Sequence, residues 1–244
     1  MDSGYYAACA GLRTQTQALD VLANNLANTN TVGYRSQQPT FHSILASAHS
    51  GLGALNRAIN DYNVLGGDAL DLTAGSLQQT GNPLDLALEG DGFFAIKTAA
   101  GTLYTRNGNF QASAQNQLTT AEGDPVLGEQ GPITLPGGTI SISTDGTLSV
   151  DGAVAGKLKM VEFVPGTSPE PAGNSYYSAP ETAVRPAAGT ALRQGMLEAS
   201  NVDPVAATVA LITLQRHAEM LGRALSSFYS DLDRIAADEL PRVS

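Results

Sequence analysis

Apolar side chains recur with a helical period at both ends of the chain and with a strand period in the middle. Near the N-terminus a line of residues alternates spacings of four and three, and Leu22 widens it: Tyr5, Cys9, Leu12, Thr16, Leu19, Ala23 and Leu26. This heptad spacing is typical of an amphipathic helix. The helix is predicted to start at a cap formed by Asp2 or Ser3 and to stop before Gly33.

A second heptad line runs near the C-terminus without a break. Its members are Leu211, Leu214, Ala218, Leu221, Leu225, Phe228, Leu232 and Ile235. Asp203 and Pro204 precede this line, and they form a helix start because aspartate caps well and proline suits the first helical position. Since sustained heptads favour coiled-coil packing, the two terminal helices are predicted to pair antiparallel with each other.

The middle of the chain has the pattern of short strands. The runs FFAIKT, TLYT, TISIS, TLSV and KLKMVEFV are rich in β-branched and aromatic residues and are separated by glycine-containing turns. They predict a mostly antiparallel sandwich or barrel over residues 82–165. Residues 31–81 are predicted to form an extended connector. Residues 166–202 are predicted to form a proline-rich return segment, and the five prolines of 165–192 indicate an extended surface run.

The predicted fold class is therefore α+β. Residues 1–30 and 203–240 form a helical coiled-coil domain in this prediction, and the β-rich domain lies between them in the chain. The ends of the chain come back together while its middle stands apart, which is an unusual plan for an enzyme.

A cluster of asparagines stands where the first helix ends. Asn24, Asn25, Asn28 and Asn30 fall within seven residues, although asparagine is a mediocre helix former. A helical projection places the first three opposite the leucines. Because amides both donate and accept hydrogen bonds, such a surface could satisfy identical neighbours without charge repulsion. We hypothesise that Asn24 and Asn25 contact a neighbouring subunit.

Charge and hydropathy exclude several classes of protein. The 244 residues carry a net charge of −10 with 13 lysines and arginines and no basic cluster, which argues against nucleic-acid binding. No window approaches the roughly 20 apolar residues that span a bilayer. The first residues lack the basic and apolar regions of a signal peptide, so no cleaved signal is expected. The single cysteine, Cys9, is expected to act as a small apolar side chain.

No catalytic, cofactor-binding or metal-binding residue is predicted. His42, His49 and His217 lack partners at metal-ligand spacing. Gly90 and Gly92 precede a strand rather than a helix, so they indicate a tight turn and not an anion site. The sequence contains no nucleophile elbow, P-loop or dinucleotide fingerprint.

Three stretches resemble one family in the same order along the chain. LDVLANNLANTNTVGYR, GNPLDLALEGDGFFAIKTAAGTLYTRNGNFQ and GMLEASNVDPVAATVALITLQRHAEML are similar to the N-terminal, central and C-terminal signatures of bacterial flagellar rod and hook proteins. Hook proteins are usually much longer, so the length favours a rod protein. The stretch from GDPVLGEQ to GKLKMVEF resembles the proximal rod type, and the distal rod type is the alternative.

The resemblance implies a structural subunit of the drive shaft that crosses the periplasm. Its partners would be its own copies, neighbouring rod proteins and the flagellar type III export apparatus, with no cofactor, no nucleic acid and no membrane insertion. Export would proceed without a cleaved signal peptide. The terminal helices would line a tube and the β domain would form its outer layer.

The subunit interface is predicted from the two heptad lines and the asparagines. Its residues are Leu12, Leu19, Leu22, Asn24, Asn25, Leu26, Asn28, Leu211, Leu214, Leu221, Leu225 and Phe228. Two other classes stay open: an enzyme or carbohydrate-binding β domain with helical oligomerisation tails, and a chaperone-like or cap protein of the export system. An enzyme would need a polar cleft with convergent titratable groups, and the sequence offers no such constellation.

Overall fold

The computed structural model describes the backbone of residues 2–42 and 64–239, and the side chains of 11–38, 69–227 and 230. The chain divides into two compact units. The helical unit comprises Met1–Leu26, Gln37–Ala69 and Asp203–Ser244, and the β unit comprises Ala27–Ser36 and Leu70–Val202. The chain therefore passes between the two units four times, after residues 26, 36, 69 and 202.

The helical unit contains two long helices and a two-stranded sheet. Helix α1 spans Asp2–Ala27, strands β1 and β2 span Gln37–His42 and Val64–Leu70, and helix α2 spans Pro204–Glu239. Asp203 caps α2 as predicted, since its Oδ1 accepts the backbone N–H groups of Val205 and Ala206 at 2.8 and 3.0 Å. Two terminal helices around a central β region confirm the α+β class, and their pairing as a coiled coil stays a prediction.

The buried stripe of α1 differs from the predicted heptad line. Among the side chains described in this helix, the buried ones are Thr14, Ala18, Val21 and Asn25. Thr16 and Ala23 of the predicted line are exposed, and its leucines are half-buried. The real stripe also has spacings of four and three, but it follows small and polar residues. Reading the line from the largest apolar side chains placed it on the wrong positions.

The less exposed face of α2 follows the predicted heptad line. Leu211, Leu214, Ala218 and Leu221 are half-buried and Leu225 is 9% exposed. Ala207, also 9% exposed, extends the line by one position toward the N-terminus. Leu232 and Ile235 lie outside the described side chains. Large aliphatic residues at every heptad position made this face readable from the sequence.

The β unit contains seventeen short strands. They are β3 Leu77–Gln79, β4 Leu86–Glu89, β5 Phe93–Thr98, β6 Gly101–Thr105, β7 Gln111–Ala112, β8 Leu118–Thr119, β9 Leu127–Gly128, β10 Gly131–Pro132, β11 Ile140–Ile142, β12 Thr147–Val150, β13 Ala153–Lys157, β14 Met160–Phe163, β15 Glu170–Pro171, β16 Tyr176–Ser178, β17 Val184–Pro186, β18 Ala191–Gln194 and β19 Met196–Glu198. All five runs predicted as strands contain one, which confirms the β-rich centre.

The largest sheet has six strands in the order β15-β16-β6-β5-β14-β17, with antiparallel neighbours. Strands β11, β12 and β13 form a second antiparallel sheet, while β18 pairs with β4 and β19 pairs with β3. The predicted surface run over 165–192 is wrong, because this segment supplies β15 to β18. Pro171 and Pro186, two of its five prolines, lie in the edge strands β15 and β17, where the missing N–H group is tolerated.

The core of the β unit consists of two apolar clusters. The larger one is centred on Phe94, whose ring packs edge-on against Phe110 with centroids 5.0 Å apart. The smaller one joins Phe93, Tyr104 and Tyr177. Both halves of the segment after residue 165 contribute to these clusters through Tyr176, Tyr177 and Leu192. The return segment is therefore part of the core and not a linker.

Candidate functional site

The two segments that leave the β unit meet at one place inside it. Residues 27–36 follow α1, and the segment from β19 to Val202 precedes α2. The Gly33 N–H donates to the Glu198 carbonyl at 2.8 Å, which ties one segment to the other. Gly33 has a φ of +67°, and a Cβ there would lie 2.3 Å from the Asn107 backbone nitrogen. Only glycine allows this close approach.

Three buried charges form the centre of this junction. Arg35 Nη2 lies 2.7 Å from Glu198 Oε1, and Arg106 Nη1 lies 3.2 Å from Glu198 Oε2. Their side chains are 0%, 1% and 1% exposed for Arg35, Glu198 and Arg106. The Arg35 contact is an ion pair rather than a well-aligned hydrogen bond. We call these three residues the charged junction.

Arg106 is also held by apolar and backbone groups. Its guanidinium donates to the carbonyls of Leu88 and Gly90 and lies over the Phe93 ring, 4.8 Å from the centroid. Burial lowers the pKa of Arg106 to about 10, and Glu198 opposes that shift. Arg106 therefore stays protonated at neutral pH, and the charged junction contains two cations and one anion.

Arg35 shares its carboxylate partner with a backbone amide. Glu198 Oε1 accepts the Gly75 N–H at 2.8 Å as well as facing Arg35. The Arg35 Nε and Nη1 atoms have no hydrogen-bond partner among the described residues. Such a cluster is expensive to bury, because one positive charge is not neutralised by a carboxylate of the junction. A buried cluster of this kind is weak evidence for added stability.

A buried tyrosine and an asparagine complete the junction. Tyr177 Oη accepts the Arg35 N–H at 3.0 Å. Asn201 Oδ1 accepts the Ser36 N–H at 2.7 Å, and its Nδ2 donates to the Asp71 and Thr73 carbonyls at 2.9 and 3.1 Å. One amide side chain thus joins the segment after α1 to the segment before α2.

Each of the three motifs quoted above supplies one residue of the charged junction. Arg35 ends the first motif, Arg106 lies in the central one and Glu198 lies in the third. Sequence reasoning missed this convergence because the three charges are far apart in the chain.

The predicted interface residues of α1 lie in different environments. Leu12, Leu19, Leu22, Leu26 and Asn28 are half-buried, and Asn24 is exposed. Asn25 is 5% exposed, and it clasps the backbone of Gln37. Its Oδ1 accepts the Gln37 N–H at 2.9 Å and its Nδ2 donates to the Gln37 carbonyl at 2.8 Å. The contact of Asn25 with a neighbouring subunit stays a prediction, and in the free subunit its amide pairs within its own chain.

The predicted interface residues of α2 lie along its less exposed face. Leu211, Leu214 and Leu221 are half-buried and Leu225 is buried, while the side chain of Phe228 lies outside the described residues.

Sequence reasoning missed a second apolar line on α2. Val205, Val209, Ile212 and Met220 are 71%, 60%, 45% and 56% exposed. At 100° per residue their mean direction is about 180° from that of the heptad line. We call these four residues the outer stripe. The signal was present in the sequence but was masked by the stronger heptad line.

The β unit also has a surface cavity of about 560 Å³ beside β6, β14 and β17. Its charged lining includes Glu129, which pairs with Lys157 at 3.0 Å, and Arg185, which pairs with Glu162 at 2.7 Å. Among the described residues that line it there is no serine, cysteine or histidine.

In the part of the chain that the structure describes, no helix is apolar and long enough to cross a membrane. The same part contains no group of three or more His, Cys, Asp or Glu side chains that could hold a metal ion.

Three family models match successive parts of the chain. The flagella basal body rod protein model matches residues 6–35, and the FlgE/F/G D1 domain model of the flagellar hook protein matches 87–150. The C-terminal model of the flagellar basal body rod FlgEFG protein matches 193–236. The first and third models cover most of α1 and of α2, and the second covers the centre of the β unit.

Curated relatives match over most of the chain. The flagellar basal-body rod protein FlgF of Mesorhizobium japonicum is 34% identical over 88% of this chain and 89% of the relative. The FlgF protein of Escherichia coli is 36% identical, covering 93% of this chain and 94% of the relative. The flagellar basal-body rod protein FlgG of Bacillus subtilis is 33% identical, with coverages of 86% and 89%.

Proposed function

Because this chain belongs to the flagellar basal-body rod protein family, we propose that it assembles into the rod through its two terminal helices. It is a structural subunit of the rod, of the FlgF type. The proposal concerns the helical contacts that join this subunit to its neighbours.

The outer stripe is the observation that carries the proposal. An isolated exposed valine on a soluble protein needs no explanation, but four large apolar side chains on one face of a helix do. Val205, Val209 and Ile212 recur at spacings of four and three, the pattern by which helices pack. Since the opposite face of α2 is already half-buried, the helix has one apolar face for its own unit and one for a neighbour.

The half-buried leucines of both helices leave further apolar area outside the outer stripe. Leu12, Leu19, Leu22 and Leu26 of α1, with Leu211, Leu214 and Leu221 of α2, each leave apolar area in contact with water. Packing against a neighbouring copy would bury that area and stabilise the helices. Asn24 and Asn28 remain in the proposed interface, and Asn25 serves the internal clasp.

The geometry of such a contact determines what it builds. The outer stripe and the leucines occupy different surfaces, so copies would meet through unlike patches. A contact between unlike patches that does not close on itself generates a helical filament. We infer that repeated contacts of this kind form the tube of the rod and join the subunit to neighbouring rod proteins.

Export and position belong to the same proposal. The subunit passes through the flagellar type III export apparatus without a cleaved signal peptide and joins the proximal rod, where the shaft crosses the periplasm. A distal position is the second candidate, because a relative named FlgG matches nearly as well as those named FlgF. Labelling the subunit in purified basal bodies, relative to the inner-membrane ring, separates the two positions.

Serine substitutions on the outer stripe test the helical contact. The triple variant Val205→Ser, Val209→Ser and Ile212→Ser should leave the free protein folded, because these side chains are exposed and serine and valine have similar helix propensities. In a strain that lacks the wild-type gene, the variant should be exported but absent from purified basal bodies. Immunoblots of basal bodies and of the medium measure both.

Two matched variants complete this test. Gln215→Ser changes another exposed position of α2 and should leave incorporation at the wild-type level. Deleting residues 206–244 should abolish incorporation while the β unit stays folded. Normal rods from the triple serine variant would show that the outer stripe is not an interface.

A further inference from the structure

Membership of the rod family leaves the charged junction unexplained. A cluster of two arginines and one glutamate with exposures of 0–1% is costly to desolvate. Replacing such clusters by apolar residues often leaves a protein as stable as before, so stability alone does not account for it. The charged junction lies where the segments leading to both helices meet, which suggests what it contributes.

We propose that Glu198 is a positioning residue for assembly, which holds the segments leading to α1 and α2 at fixed places on the β unit. This inference rests on the proposed function, since it concerns the segments that connect the β unit to the helices proposed to assemble.

Glu198 makes contacts with three separate parts of the β unit. Its carbonyl accepts the Gly33 N–H at 2.8 Å, and its carboxylate faces Arg35 at 2.7 Å. The same carboxylate accepts the Gly75 N–H at 2.8 Å and pairs with Arg106 at 3.2 Å. Glu198 is itself in the segment that leads to α2. This one residue therefore connects that segment to the segment after α1, to Gly75 and to Arg106.

The chemistry of the cluster makes this arrangement specific. If either segment shifted, a buried arginine or the glutamate would lose its partner, and an unpaired buried charge is strongly unfavourable. An apolar contact tolerates sliding, whereas ion pairs and hydrogen bonds to a carboxylate fix direction as well as distance. Arg106 is itself fixed by two carbonyls and the Phe93 ring, so it serves as the immobile side of the junction.

Two kinds of variant separate positioning from stability. Glu198→Gln leaves two buried arginines without an anion and should lower the Tm of the full-length protein by about 10 °C. The triple variant Arg35→Met, Arg106→Met and Glu198→Leu removes all three charges and should recover most of that Tm. Despite this recovery, its incorporation into basal bodies should fall about tenfold, the effect of roughly 1.4 kcal/mol.

A shorter carboxylate provides an independent test if the triple variant does not fold. Glu198→Asp keeps the negative charge but cannot reach Arg35, Arg106 and the Gly75 N–H together. We expect faster hydrogen exchange at the Gly75 amide, with reduced incorporation into basal bodies. Glu129→Gln is the matched control, because Glu129 pairs with Lys157 at the surface and should change neither measurement.

The results distinguish this inference from the proposed function. If the wild-type chain is absent from basal bodies, the proposed function fails. If the wild-type chain is present and a folded triple variant, or the Glu198→Asp variant, is incorporated equally well, only the positioning role is overturned. An unchanged Tm for Glu198→Gln would also overturn it, because the carboxylate would not be the centre of the cluster.

Discussion

The β unit and the helical unit bury their apolar side chains to different extents. In the β unit Leu86, Phe94, Ile96, Leu118 and Leu148 are all 0% exposed and belong to one cluster. In α2 only Ala207 and Leu225 are buried among the side chains that the structure describes. The described part of the β unit therefore has a well-packed core, whereas α2 keeps exposed apolar side chains that the proposed assembly would cover.

The two units also differ in the kind of polar contact that they contain. The β unit buries a cluster of charges and joins its strands through backbone hydrogen bonds. In the helical unit, Asn25 clasps the strand β1 through the Gln37 backbone. A unit with a full apolar core can tolerate buried charges, while a unit with little core benefits from each directional contact.

The largest expected effect is the loss of an aromatic ring from the β core. Phe94→Ala should lower the free energy of unfolding by about 3–5 kcal/mol, because the ring is fully buried against Phe110. Leu225→Ala in α2 should cost less, about 2 kcal/mol, because Leu225 is 9% exposed and half-buried side chains beside it, such as Leu221, can close over the truncated site. Urea unfolding of the full-length proteins, followed by near-UV and far-UV circular dichroism, measures both.

A matched surface variant controls for truncation itself. Val154→Ala removes methyl groups from a side chain that is 71% exposed, so its effect should stay within about 0.5 kcal/mol. Equal costs for Phe94→Ala and Leu225→Ala would contradict the contrast between the two units, since it would give the helices a core as complete as that of the sheet.

Local patterns in the sequence were enough to predict the two terminal helices and the strands β5, β6, β11, β12 and β14. Strand β5 coincides with the run FFAIKT, and α2 begins after the predicted Asp203 cap. The heptad line of α2 was readable because large aliphatic residues occupy it. The line of α1 was misread because its buried positions are Thr14, Ala18, Val21 and Asn25, which no hydrophobicity pattern selects.

Contacts between distant segments were not predictable in the same way. The proline-rich stretch after residue 165 looked like a linker, because prolines at sheet edges and in surface loops give the same local signal. The charged junction joins residues 35, 106 and 198, and nothing in a single sequence pairs these charges. Asn25 was noticed as unusual, but its partner on β1 decides whether its amide faces a neighbour or its own chain.

The second expected effect concerns the asparagine clasp of α1. Asn25→Ala should lower the free energy of unfolding of the helical unit by about 1–2 kcal/mol, because it leaves the Gln37 N–H and carbonyl without this partner. Asn24→Ala is the adjacent control, and at an exposed position it should have almost no effect on the free subunit. Thermal loss of far-UV helical signal measures both variants.

The order of the two effects should be reversed in assembly, where Asn24→Ala should matter more than Asn25→Ala. If Asn24 faces a neighbouring copy, Asn24→Ala reduces incorporation into basal bodies while the free protein is unchanged. Identical Tm values for Asn25→Ala and wild type would mean that the clasp does not hold the helix, and the helical unit would then depend on apolar contacts alone.

The smallest expected effect is confined to alkaline pH and concerns Tyr34, in the segment that follows α1. Burial raises the pKa of Tyr34 to about 12, and Tyr177 adds to the shift. A group whose pKa is higher in the folded state contributes its full stability below the unfolded value of 10.0 and loses it as the pH rises toward 12. Tyr34→Phe has no hydroxyl to ionise, so it escapes this loss.

The difference between the Tyr34→Phe and wild-type Tm values should therefore be constant up to about pH 10 and then move in favour of the variant. Arg106, whose pKa is lowered to about 10, is present in both proteins, so its own ionisation largely cancels in the difference. Thermal unfolding at a series of pH values, with tyrosinate absorbance near 295 nm as the second signal, measures it. Parallel curves through pH 11.5 would mean that Tyr34 ionises as easily in the folded subunit as in the unfolded chain. In that case the segment after α1 would be open to water, and the β unit would be complete without it.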